Sequence, residues 1–165
     1  MTREKGLIWF WVSFAIGATV AFTNLLAPVH EFGHYALGLK YNDEVEITGW
    51  STTRVELRAS QVYAGWFFEI WIFFLLGLFL CGVGRSDNTM WMGAWALGYA
   101  QLTWFRALKS TDFTTLVDKV IVHYGQEYAQ VIRSMVFNGW MIRGIVLFSV
   151  MWIALFFMLK INLIK

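Results

Sequence analysis

The stretch LIWFWVSFAIGATVAFTNLLAPVHEFGH, residues 7–34, decides how the chain is read: a long apolar run with no charge ends in two histidines and a glutamate. Residues 7–26 supply about twenty uncharged positions, enough for a helix to cross a hydrocarbon core. A cleaved secretory leader is the competing reading. The run is long for one, and Asn24, Leu25, Leu26 and Ala27 do not close it with small residues at cleavage spacing. It is therefore expected to remain as a permanent span.

Composition agrees. The 165 residues are 58% hydrophobic and 15% charged, with a mean hydropathy of +0.55, and a water-soluble domain of that make-up would expose large apolar patches. Three further spans are expected at residues 62–83, interrupted by Glu69, at 90–108, with Arg106 near the end, and at 140–159, with Arg143 near the start. Residues 113–135 are helical in character but carry Asp118, Lys119, His123, Glu127 and Arg133, which places them at the membrane interface. Residues 41–59, YNDEVEITGWSTTRVELRA, alternate apolar and polar positions around a Gly-Trp-Ser-Thr-Thr turn and predict two short strands. The expected fold is an all-α polytopic membrane protein. It has about four transmembrane helices, a short β-hairpin loop between the first two and an interfacial helix before the last, in one domain over residues 1–165.

Trp9, Trp11, Trp66, Trp91, Trp104 and Trp140 fall near expected span ends, where an amphipathic ring is favoured at headgroup level, and they read as anchors. Four spans put both termini on one side. More basic residues, among them Lys40, Arg54, Arg58, Arg106, Lys109 and Lys119, gather on the other, which is expected to be cytoplasmic in a prokaryotic membrane. The net charge of +2 comes with no dense basic patch, so nucleic acid is not an expected partner. One cysteine, Cys81, excludes an intrachain disulfide.

Within VHEFGH, His30 and His34 are four apart, so a helix brings both imidazoles to one face, where they can hold one metal ion. Glu31 then stands beside the ion as the general base that takes a proton from water for amide hydrolysis. Ionisable residues at membrane depth are costly and mark a functional site. Ordinary interfacial residues on a helix that has already left the membrane are the alternative. Pro28 removes one helical hydrogen bond and clashes with the Asn24 carbonyl, which predicts a kink just before the motif. Gly33 costs about 1 kcal/mol of helix propensity relative to alanine, a cost that close approach of another backbone would offset.

A catalytic zinc site commonly has three protein ligands. The third expected span delivers FRALKSTDF, residues 105–113, to the same side as the histidines, and Asp112 is its candidate ligand. Charge supports a carboxylate, since Zn²⁺ with ionised Glu31 and Asp112 is neutral. Asp112 also suits the N-cap of a following helix. Asp118, His123 and Glu127 are further candidate donors.

The run VHEFGHYALGLK, the β-patterned loop, the YAGWFFE opening of the next span and the aspartate after the third resemble the site-2 protease family of intramembrane zinc metalloproteases. The similarity covers residues 24–116. It implies His30, His34 and Asp112 as zinc ligands, Glu31 as general base, and a substrate of membrane-embedded protein segments. The chain departs from the family's Asn-Pro or Leu-Asp-Gly type third-ligand stretch, reading Ser110, Thr111, Asp112 and Phe113 instead. A catalytically silent subunit of a larger membrane complex is the alternative expectation, although intact Glu31 argues for catalysis. Haem carriage is disfavoured, because histidines one turn apart converge on the same side of an ion.

Overall fold

A computed structural model of the chain describes residues 3–23, 25–41, 46–49, 52–54, 59–83, 86–107, 110, 114, 117, 118, 121, 122 and 124–163. These residues form five helices, α1 (Arg3–Val20), α2 (Ala27–Lys40), α3 (Ala59–Val83), α4 (Asp87–Ala107) and α5 (Gln126–Leu163). Between α2 and α3, the short segments β1 (Glu46–Gly49) and β2 (Thr52–Arg54) pair antiparallel, Glu46 opposite Arg54 and Ile47 opposite Thr53. Apart from this ribbon, which lies against α2, the described chain is helical.

The first apolar run does not form one helix to residue 26. The Ala21 amide still donates to Gly17 O at 3.2 Å, but those of Phe22 and Thr23 donate to Thr19 O and Val20 O at 3.1 and 2.9 Å. The Thr23 hydroxyl closes on Val20 O at 2.7 Å. This tightening from four-residue to three-residue spacing satisfies the last carbonyls and stops the helix. A new helix then begins at Ala27 with Pro28 in its first turn, where the missing proline N–H costs no helical bond. The expected kink is thus a break, and the histidine motif rides on a separate helix. With 14 residues, α2 is about 21 Å long, short of the ~30 Å hydrocarbon core.

The expected interfacial helix before the last span is corrected as well. From Gln126 onward it is continuous with that span in a single helix of 38 residues. Gly139 lies inside it, and one glycine costs only about 1 kcal/mol against a helix already propagating through its neighbours. The break falls earlier, at Gly125, whose φ of 86° favours glycine.

Among the described residues two helices are long and apolar enough to cross a membrane, α3 over Ala64–Gly82 and α5 over Gln126–Phe157. Their outer faces expose Ile72, Leu75, Leu76 and Phe79 on α3 and Ile142, Ile145, Val150 and Ile153 on α5. Water does not favour so much apolar surface, whereas lipid does.

Contacts divide the chain into two compact units, one of Met1–Thr23, Ile70–Thr103 and Gly144–Lys165, the other of Asn24–Glu69 and Trp104–Arg143. In the first, Phe10, Ile70, Leu97, Tyr99, Met151 and Leu155 are essentially fully buried. Its α1 and α4 segments approach closely enough that a Cβ on Gly17 would meet the Trp95 carbonyl and one on Gly98 would meet that of Phe14, the small-residue packing common among membrane helices. Trp11 stacks on Trp152 at 5.2 Å, tying α1 to α5. In the second unit, Trp104 and Trp140 stack at 4.3 Å. Each indole N–H also donates to the other residue's backbone carbonyl, at 3.2 and 2.9 Å.

Candidate metal centre

On α2 the buried positions are His30, Glu31, Gly33, His34 and Gly38, so 30, 33, 34 and 38 form the stripe that one helix face presents. Glu31 adjoins that stripe one turn before His34. Gly33 meets the expectation of a close neighbour: a Cβ there would lie 2.6 Å from Ala64 O and 2.9 Å from Gly65 Cα. Phe32 and Phe68, at 5.3 Å, flank the same crossing.

The answering position on α3 is Gly65. A Cβ at Gly65 would lie 2.6 Å from Nε2 of both His30 and His34, so only glycine leaves the two imidazoles room. The nitrogens themselves are 3.1 Å apart. Two imidazoles on a tetrahedral zinc with bonds of 2.0–2.1 Å have nitrogens about 3.3 Å apart. The pair is therefore spaced for a shared metal ion and equally for a hydrogen bond between the two rings, in a cradle that an alanine methyl would fill.

Further along α3, Trp66 and Glu69 complete the surround of His30. The Trp66 ring lies edge-on to His30 at 4.3 Å, and the Arg106 guanidinium sits 5.5 Å over that indole as a cation–π contact. Glu69 Oε2 is 3.3 Å from His30 Nδ1. Glu69 is 3% exposed, beside His30 at 8%, Glu31 at 9% and His34 at 7%. Four side chains that can carry charge are thus buried on this helix pair, which marks a functional candidate in an apolar protein.

His30, Glu31 and His34 are therefore together and buried, on one helix. Asp112 and the reserve donor His123 lie outside the described residues. The other reserves, Asp118 and Glu127, are exposed. Among the described residues no group of three His, Cys, Asp or Glu side chains is placed to hold a metal. Gly65 was not legible as a site residue. Trp66, Trp104 and Trp140, expected as headgroup anchors, are 7%, 3% and 6% exposed and pack inside the protein, while Trp9 and Trp11 are exposed. The only sequence signal for Gly65 and Trp66 was the YAGWFFE opening itself. No protein-family model, curated protein or solved structure matches the chain.

Proposed function

We propose that this chain is a small intramembrane zinc metalloendopeptidase that hydrolyses peptide bonds in membrane-embedded protein segments. The observation that carries the reading is the His30–His34 pair, with Nε2 atoms 3.1 Å apart and the buried carboxylate of Glu31 one position along the same helix. His30 and His34 hold the ion, and Asp112 is the third ligand. Zinc supplies Lewis acidity, lowering the pKa of water and polarising a carbonyl. Glu31 takes a proton from the attacking water and returns it to the leaving amine, as a general base that becomes a general acid. Burial keeps competing bulk water away from these groups and strengthens their electrostatics.

A transmembrane helix hides its amides in its own hydrogen bonds and must be opened before it is cut. The ribbon of β1 and β2 beside α2 offers edge backbone groups on which a substrate strand can be held extended. In this reading α1 and α4 cross the bilayer with α3 and α5, which gives four spans with both termini on one side and the metal centre toward the cytoplasm. Buried α4 positions such as Ala94, Ala96, Ala100 and Thr103 support a span enclosed by other helices, which has little need of large lipid-facing side chains.

Zinc content of the detergent-purified protein tests the reading, with Asp112→Asn and Glu31→Gln alongside. Near-stoichiometric zinc that falls in Asp112→Asn and survives in Glu31→Gln is the expected result. A wild type that neither contains zinc nor accepts it on reconstitution overturns the reading and turns attention to a non-catalytic role in a membrane complex.

A further inference from the structure

Glu69 is the ionisable group in this neighbourhood that the proposed chemistry leaves without a task. It is buried to 3% exposure in an otherwise apolar helix, where a carboxylate is expensive unless it meets a charge or a donor. Its Oε2 lies 3.3 Å from Nδ1 of His30, the ring nitrogen on the far side of the imidazole from the one that faces His34. Gly65 and Glu69 are four apart on α3, so the helix that makes room for the two Nε2 atoms also carries the carboxylate to His30.

We infer that Glu69 is a positioning residue: it holds the proton of His30 on Nδ1 and so fixes Nε2 as the atom that binds metal. A neutral imidazole has one N–H and one lone pair, and the partner of the first nitrogen determines which atom presents the lone pair. The 3.3 Å approach of Glu69 to Nδ1 is a charge contact rather than an aligned hydrogen bond, and a proton kept on Nδ1 leaves the lone pair on Nε2, the atom next to His34 Nε2. Carboxylates that orient a metal-bound histidine from behind contribute about ten- to a hundredfold to metal affinity. Trp66, edge-on to the same ring, restricts its rotation from the side.

The inference rests on the metalloprotease reading for its metal, but its central claim, the tautomer of His30, does not. Two measurements on the full chain in detergent separate them. In metal-free protein labelled with ¹⁵N-histidine, His30 is assigned by its loss in His30→Gln. It should be Nδ1-protonated in the wild type and in Glu69→Gln, whose amide oxygen still accepts, and should shift toward Nε2–H in Glu69→Leu. Zinc affinity from chelator competition should fall in the same order, with Glu69→Leu about ten- to a hundredfold weaker than the wild type and Glu69→Gln in between. A His30 tautomer unchanged in Glu69→Leu overturns the inference, whatever the zinc result. A tautomer that shifts in a protein taking up no zinc sustains the positioning role and overturns the metalloprotease reading alone. If Glu69→Leu fails to fold, Glu69→Met, which also removes the acceptor, is read for the same shift toward Nε2–H.

Discussion

Among the described residues the buried carboxylate and imidazole side chains, His30, Glu31, His34 and Glu69, all belong to the unit of Asn24–Glu69 and Trp104–Arg143, whereas the other unit buries Thr103, Tyr99 and Cys81. The helix α3 contributes to both. Before Ile70 it presents Gly65, Trp66 and Glu69 to the histidines, and after it Phe73, Phe74 and Cys81 are buried. Glycine serves both units, for different ends. At Gly17 and Gly98 it lets helix backbones touch, so that the gain is packing. At Gly65 it lets two imidazoles approach a helix, so that the gain is room for a buried histidine pair. In the proposed function one unit holds shape and the other holds chemistry, and substitutions should separate the two roles.

The largest expected effect is on chemistry alone. Glu31→Gln should lower the rate of cleavage of a transmembrane peptide in reconstituted vesicles by about a hundred- to ten-thousandfold, with zinc content and unfolding in SDS titration unchanged. Retained cleavage would remove Glu31 from its assigned role. Gly17→Leu should do the reverse. Forced against the Trp95 backbone, it should cost about 1–3 kcal/mol of folding stability, while zinc per folded chain stays at the wild-type value. Gly65→Ala sits between, its methyl placed 2.6 Å from both Nε2 atoms. It should weaken zinc about tenfold, equivalent to about 1.4 kcal/mol of binding, with a smaller loss of folding stability than Gly17→Leu. Equal damage to folding from both glycine variants would erase the distinction between the units. Arg106→Gln should give the smallest effect, about 0.5–1 kcal/mol of stability from the lost cation–π contact with Trp66, read in the same SDS titration.

The helical spacing of His30 and His34 placed both imidazoles on one face before any coordinates, because a period of 3.6 residues leaves little freedom at that separation. The ends of the apolar helices were much less legible. Residues 7–26 contain no charge, so hydropathy has no edge at Val20, and Pro28 is as compatible with a kink as with a first turn. The last expected span opens at residue 140, yet among the described residues the glycine with a positive φ is Gly125. Gly65 is one of 14 glycines, and nothing local marks the one that faces imidazole nitrogens, since that depends on how α2 crosses α3. Tryptophans mislead for a related reason: an indole that is apolar with one polar handle suits a headgroup and a buried carbonyl equally well. Trp104 and Trp140 took the second option.

Those two tryptophans have an optical consequence. Trp104 and Trp140 lie 4.3 Å apart with rings 21° from parallel, and Trp11 and Trp152 lie 5.2 Å apart at 22°. Indoles this close couple their electronic transitions and produce paired circular-dichroism bands that separated indoles lack. Each unit therefore carries its own stacked indole pair, one in the unit of the two histidines and one in the other. Trp104→Phe silences the first and Trp152→Phe the second, so the two variants together allow the melting of each unit to be followed by light, in its native sequence apart from a single ring.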